Sequence, residues 1–162
     1  FIQVLGWSPT QYGLLLSCNA LLYVSGTVLC RRLLARWGVR RSMALAGALS
    51  ATGGTLMGVF ALAGVNNGWA YALPFWLFQM AHGIHMPCSQ SGSVGPFPHA
   101  AGTAAALNGF VMMLVAFGIG HWLGQRMDGT VLPLALGVWF WSLCVAVAAW
   151  TLVQKFGDPA KP

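Results

Sequence analysis

The hydrophobic positions of this chain fall into five long blocks rather than into an amphipathic pattern. None of these blocks contains Asp, Glu, Lys or Arg across its central length. A bilayer core of about 30 Å requires about 20 helical residues. We therefore predict an all-α, polytopic membrane helix bundle with spans at residues 12–34, 43–65, 69–92, 102–123 and 131–153.

Short polar segments separate these spans and carry signals for helix ends. Ser8 and Gln11, with Pro9 between them, form a capping-box pattern that predicts the start of the first helix. Asn67 and Gly68 predict a tight turn before the third span. We expect residues 154–162 to form a polar cytoplasmic tail.

Composition excludes most soluble folds. Hydrophobic residues make up 57% of the chain and charged residues only 6%, against about 25% charged residues in soluble domains. Five helices this apolar would leave a soluble bundle without a polar face toward water.

The basic residues are distributed unevenly along the chain, which has a formal net charge of +6. If the spans cross a membrane alternately, seven of the eight basic residues share one side and only Arg126 lies on the other. The positive-inside rule then makes residues 31–41, residues 95–103 and the C-terminus cytoplasmic. We expect a multi-pass protein of the inner (plasma) membrane. Because orientation explains the charge, we expect the lipid bilayer as a partner and no nucleic acid.

Three of the spans carry polar side chains at mid-membrane depth. Burial of such a group without a partner costs about 1–3 kcal/mol, so these groups tend to face one another or a water-filled cavity. We interpret the first, third and fourth spans as facing a polar interior, with the second and fifth outside them. The candidates for lining a substrate cavity are Asn19, Tyr23, Gln79, His82, Met86 and Asn108.

The second span carries small residues at four-residue spacing. Gly54 and Gly58 are part of this pattern. Small side chains let helix backbones approach each other closely, so the pattern predicts a packing face.

Two histidines in the third span are candidates for proton relay. His82 and His85 suit this role because imidazole titrates near neutral pH and no span contains a carboxylate. The alternative is a neutral histidine that is hydrogen-bonded to a neighbouring helix. His82, His85 and Cys88 recur every three residues, but they diverge around the helix and lack an evident fourth ligand, so we predict no metal and no cofactor.

Catalytic patterns do not stand out in this sequence. It has no phosphate-binding glycine loop and no paired carboxylates, and the nearest approach to a nucleophile with a base is Ser89 or Ser91 with His85. We therefore predict that the protein is not an enzyme. The four cysteines show no paired spacing, and we expect them to be reduced.

Two loops carry a resemblance to a known family. The segment before the fourth span resembles the signature between the tenth and eleventh helices of Bcr/CflA-type drug exporters, which belong to the major facilitator superfamily. The residues that carry this resemblance are Phe97, Pro98, His99, Gly102 and Thr103. The basic loop resembles the conserved loop motif of the superfamily through Arg36, Gly38, Arg40 and Arg41, although Ala35 replaces the aspartate of that motif.

The resemblance implies that the chain is the C-terminal half of a major-facilitator-type transporter. The spans would be helices 8–12, and residues 1–5 would be the end of helix 7. It implies export of small drug-like molecules by proton antiport through alternating access. The partners would be a small-molecule substrate, protons and the missing N-terminal half, which would hold the coupling acid. The polar side chains alone also fit a channel or pore subunit, or a membrane scaffold that transports nothing.

Overall fold

The computed structural model describes residues 1–157, and these are all-helical apart from their connections. The helices are α1 (Pro9–Leu62), α2 (Gly68–Val94), α3 (Ala101–Gly124), α4 (Leu132–Trp150) and the short α5 (Leu152–Phe156), with a 3₁₀ turn at Pro98–Ala100. The prediction of an all-α fold is confirmed over this range. The end of the predicted tail, including Asp158 and Lys161, lies outside the described residues.

Three helical segments are long and apolar enough to cross a membrane, namely Pro9–Leu62, Pro98–Gly124 and Leu132–Phe156. α2 is not one of them although it has 27 residues. Glutamine, histidine, proline and serine are frequent in its second half and lower its hydropathy. The chain therefore has the character of a membrane-embedded helical protein.

α1 contains both the first and the second predicted span. It begins with the predicted capping box, in which the Ser8 hydroxyl accepts from the Gln11 amide at 3.2 Å and the Gln11 Oε1 accepts from the Ser8 amide at 2.9 Å. Gly38 interrupts the helix with φ 72° and ψ −178°, a conformation that is essentially restricted to glycine. We call residues 9–37 the first limb of α1 and residues 39–62 the second limb.

The first limb runs parallel to α2. Gly26 and Gly83 mark the crossing point, where a Cβ added to Gly26 would lie 3.1 Å from the Gly83 Cα. Further toward the C-terminal ends of both helices, the sulfurs of Cys30 and Cys88 are 3.5 Å apart. The absence of side chains at the two glycines is what lets these backbones meet.

A hydroxyl group repairs the hydrogen bonding that Pro87 disturbs in α2. Because proline has no amide hydrogen, the carbonyl four residues earlier, that of Gly83, loses its helical donor. The Thr27 Oγ1 of the first limb lies 3.3 Å from this carbonyl and 3.1 Å from the Tyr23 carbonyl of its own helix, so its one hydrogen is shared between two acceptors. The crossing therefore supplies a partner for the carbonyl that Pro87 leaves without one.

The second limb runs antiparallel to α2 and therefore opposite to the first limb. The Ser50 Oγ lies 3.3 Å from the His85 Nε2. Gly53 follows Ser50 in the limb and faces the carbonyl of Pro74, which precedes His85 in α2. α1 is thus a helical hairpin whose two limbs both pack on α2, with Gly38 at the reversal.

α4 packs against the other side of the second limb, also in antiparallel orientation. Gly47 faces Ala149 near one end of the contact, and Gly58 faces the Trp139 ring near the other. A Cβ added to Gly54 or Gly58 would overlap atoms of α4. The predicted small-residue packing face is therefore confirmed.

The described bundle gathers its basic residues at one end. Gln154 Nε2 donates to the Arg40 carbonyl at 2.9 Å, which brings the end of α4 and α5 next to the Gly38 reversal. α2 ends at this same side, since Val94 follows Cys88. The basic residues at this end are Arg31, Arg32, Arg36, Arg40, Arg41 and Lys155.

The first residues of the predicted tail are helical. Between α4 and α5, Thr151 has φ −115° and ψ −71°; its amide donates to the Val147 carbonyl at 2.9 Å, and the Lys155 amide donates to the Thr151 carbonyl at 3.1 Å. The ladder therefore continues to Phe156.

α3 stands apart from this packing. None of its residues is buried, and Phe110, Met113 and Phe117 are 65%, 66% and 73% exposed. We expected the fourth span to face an interior with the first and third, and the second span to lie outside. The second limb instead lies between α2 and α4, because its small residues fit closely against both.

Candidate functional site

A cavity of about 620 Å³ opens between both limbs of α1, α2 and α4. Its lining includes Asn19, Tyr23 and Gln79, three of the six predicted cavity residues, and a second tyrosine, Tyr12. Aromatic and aliphatic side chains form most of the remaining wall, and no charged side chain lines it. Those other lining residues are Phe1, Leu15, Leu16, Ala20, Val24, Met57, Phe75, Leu134 and Val138.

Asn19 is the least satisfied polar group of this wall. The residue is 7% exposed, and its Oδ1 is buried without a hydrogen-bond partner among the described residues. A buried polar atom without a partner costs about 1–3 kcal/mol. The Oδ1 atom of Asn19 is therefore an unused hydrogen-bond acceptor at the edge of a mainly apolar cavity.

Tyr23 connects the cavity to the first of the two histidines. Its ring lies 5.8 Å from the His82 ring between centroids, at 46° between planes. His82 itself is exposed and is not among the cavity-lining residues.

His85 points in a different direction from His82. It is 9% exposed and contacts Ser50 of the second limb through Nε2, while its Nδ1 is buried without a hydrogen-bond partner in the described structure. The two proton-relay candidates are therefore placed against opposite limbs of α1, and His85 matches the alternative of a histidine hydrogen-bonded to a neighbouring helix.

The remaining two predicted cavity residues lie away from the cavity. Asn108 of α3 donates from Nδ2 to Gln90 Oε1 at 3.1 Å and contacts the Met112 sulfur at 3.8 Å. Met86 is half-buried on α2 and is not a lining residue. Asn108 instead forms the polar link between α3 and the end of α2.

Several lining residues were not identified from the sequence. Tyr12, Leu15 and Asn19 follow helical spacing along the first limb, so the stripe was visible but was not extended beyond the polar positions. Leu134 and Val138 come from α4, the span expected to lie outside. They carry no polar signal that would have indicated their place.

The family-like loop residues lie at the basic end and do not reach the cavity. Gly38 forms the reversal in α1, and Arg36, Arg40 and Arg41 around it are exposed. The signature residues around the start of α3 are also exposed, and they span the 3₁₀ turn and the first turn of this helix. They are Phe97, Pro98, His99, Gly102 and Thr103.

The structure also bears on two other kinds of site, a metal site that includes Cys88 and a nucleophile at Ser89. Over residues 1–157, no group of three or more His, Cys, Asp or Glu side chains is placed to hold a metal ion. Cys88 contacts Cys30 rather than either histidine. The Ser89 hydroxyl donates to the Met86 carbonyl of its own helix at 3.3 Å.

No protein-family model, curated protein or solved structure matches this chain.

Proposed function

We propose that this chain forms part of a secondary active transporter of the major facilitator type that exports small drug-like molecules by proton antiport. The observation that carries the proposal is the cavity that combines Asn19, Tyr23 and Gln79 with an apolar wall. Binding sites for small organic molecules have this character, with a mainly apolar lining and a few polar groups that fix orientation. The loop resemblance at Arg36–Arg41 and Phe97–Thr103 supports the family assignment.

In this proposal the basic end of the bundle faces the cytoplasm of a cell whose inner membrane holds the protein. Six basic residues at one end, against Arg126 beyond the far end of α3, support this orientation. The cavity lies between helices that carry no charge along its wall. The proton-binding carboxylate is therefore assigned to the other half of the transporter, which completes the cavity.

His82 has the better placement of the two histidines for a part in proton movement. It is exposed and touches Tyr23 at the cavity, whereas His85 is buried against Ser50. A relay through Tyr23 would couple protonation to the cavity without a carboxylate in the described cavity wall.

Transport by the complete protein in inverted membrane vesicles tests this function, with ethidium as the fluorescent probe. We expect uptake that requires a proton gradient and stops when a protonophore is added. Asn19→Leu and Gln79→Leu should each reduce the initial rate about tenfold, equivalent to about 1.4 kcal/mol. Ser25→Leu is the matched control, because Ser25 is an exposed polar residue of the same limb outside the cavity, and its rate should stay within about twofold.

The outcomes separate the competing functions. Probe flux that is equal with and without the gradient would indicate a channel or pore subunit. Absence of flux for a panel of lipophilic probes, with all variants equal, would indicate a scaffold. A His82→Gln variant with an unchanged pH profile of transport would exclude the proton role of His82 while leaving the cavity assignment intact.

A further inference from the structure

Two cysteines from different helices lie against each other outside the candidate cavity. The Cys30 Sγ of the first limb is 3.5 Å from the Cys88 Sγ of α2, and it also contacts the Ile84 carbonyl at 3.6 Å. Both side chains are buried, with exposures of 1% and 7%. Neither residue takes part in the proposed transport chemistry.

The location of this pair follows from the close helix crossing. Gly26 and Gly83 bring the two backbones together, and Cys30 lies one helical turn beyond Gly26 in the direction of the basic end. Because the first limb and α2 run parallel, Cys88 lies beyond Gly83 in the same direction and meets Cys30. A disulfide requires a sulfur separation of about 2.05 Å, so the two sulfurs need to approach by about 1.5 Å.

We propose that Cys30 and Cys88 are a redox site that hydrogen peroxide converts into an intramolecular disulfide. Peroxide first oxidises one thiol to a sulfenic acid and is reduced to one water. The second sulfur then attacks the sulfenic sulfur, the S–S bond forms, and hydroxide leaves with the proton of the second thiol as another water. Two thiols and one peroxide thus yield one disulfide and two waters.

The surroundings of the pair favour this product over further oxidation. The two sulfurs border a cluster of Leu33, Met43, Ala46 and Ile84, which is apolar. A disulfide is neutral and apolar, whereas a sulfinic or sulfonic acid would bring an uncompensated charge into this cluster. Both thiols are buried, and Cys88 keeps the larger exposed fraction, so the proposal assigns Cys88 as the thiol that peroxide oxidises and Cys30 as the resolving thiol.

The disulfide would fasten the first limb to α2 on the basic side of their crossing. The cavity residues Asn19 and Gln79 lie on the other side of that crossing. Oxidation would therefore prevent the two helices from separating at the basic end while leaving the cavity wall in place. This inference does not rest on the transport function, because the bond depends only on the two sulfurs.

Trypsin supplies a direct assay, since exposed arginines lie between the two cysteines. Cleavage after Arg36 separates Cys30 from Cys88 in the sequence. The purified full chain in detergent is treated with hydrogen peroxide, then with an alkylating agent and trypsin. We expect the two fragments to stay together until a reductant is added, and the number of titratable thiols to fall from four to two.

Matched variants assign the bond. Cys30→Ala and Cys88→Ala should each abolish the linkage, while Cys18→Ala and Cys144→Ala should leave it unchanged, because those cysteines are not part of the pair. Peptide mapping of the oxidised wild-type chain gives the same answer without any variant. Fragments that separate before reduction, a thiol count that remains at four, or a sulfinic acid on Cys88 in place of the bond would each overturn the proposal.

Discussion

α3 and the second limb of α1 are both apolar helices with several glycines, yet they are used in opposite ways. In the second limb, a Cβ added to Gly47, Gly53, Gly54 or Gly58 would touch a neighbouring helix. In α3, all glycines have open space around them, namely Gly102, Gly109, Gly118, Gly120 and Gly124. Most of the α3 glycines also share one helical stripe. A stripe of small residues therefore indicates that a helix can pack closely, but it does not say which helix is the partner.

The sharpest test of this contrast places the same side chain on each helix. Gly53→Leu forces a side chain against the Pro74 carbonyl and the Phe78 amide, which are backbone atoms that cannot move aside. We expect the free energy of unfolding to fall by about 3 kcal/mol or more. A Cβ added to Gly120 meets nothing within 4 Å, so Gly120→Leu should change the free energy of unfolding by about 0.5 kcal/mol or less. Unfolding in mixed micelles, followed by circular dichroism, measures both.

Equal destabilisation by the two leucines would contradict the contrast. It would mean that α3 has a packing partner as close as that of the second limb. Gly118→Leu on another side of α3 is the control, since it also meets open space.

A smaller effect is expected at the polar link between α3 and α2. Asn108 Nδ2 donates to Gln90 Oε1 at 3.1 Å, and interhelical hydrogen bonds in membrane proteins contribute about 0.6 kcal/mol on average. A double-mutant cycle with Asn108→Leu and Gln90→Leu should give a coupling energy of this size. Hydrogen exchange should meanwhile become faster in α3 and stay unchanged in α4.

Gln125→Leu is the control for this cycle, because Gln125 contacts His121 within its own segment at 3.1 Å and reaches no other helix. A zero coupling energy between Asn108 and Gln90 would show that this hydrogen bond does not hold α3 against α2, and that the loops and the contact of Leu123 with Gly137 of α4 position the helix. A value of several kcal/mol would show a much tighter connection than the exposed surface of α3 implies.

The smallest effect concerns the loop that joins α3 to α4. The Thr130 hydroxyl donates to Asp128 Oδ1 at 2.6 Å and the Thr130 amide donates to the same oxygen at 2.9 Å, and these bonds hold the pKa of Asp128 below its usual value. A lowered carboxyl pKa stabilises the folded chain above the usual value, and the contribution is lost as the pH falls through the folded-state pKa. Thr130→Val should raise the pKa of Asp128 in a carbon-13 titration. No change in this pKa would exclude the hydroxyl as its main cause.

The sequence was a good guide to helices and a partial guide to their arrangement. Ser8, Gln11 and Asn67 marked helix starts, because capping depends on neighbouring residues only. Gly54 and Gly58 marked a packing face for the same local reason. The partner helices were not predictable, since α2 and α4 approach the second limb through contacts between residues far apart in sequence.

The candidate cavity was predictable where polarity singled out a position. Asn19, Tyr23 and Gln79 were identified because polar side chains are conspicuous in an apolar span. Asn108 carried the same signal, but its amide is satisfied by Gln90 instead. Leu134 and Val138 resemble lipid-facing residues, so only the folded chain reveals that they line the cavity.

The reversal at Gly38 has a consequence for substitutions at this position. Because φ is 72° and ψ is −178° there, any residue other than glycine would be strained. A single residue joins the two limbs of α1, so a backbone change that relieves this strain would move one limb relative to the other. One substitution at position 38 would therefore disturb the packing of both limbs on α2.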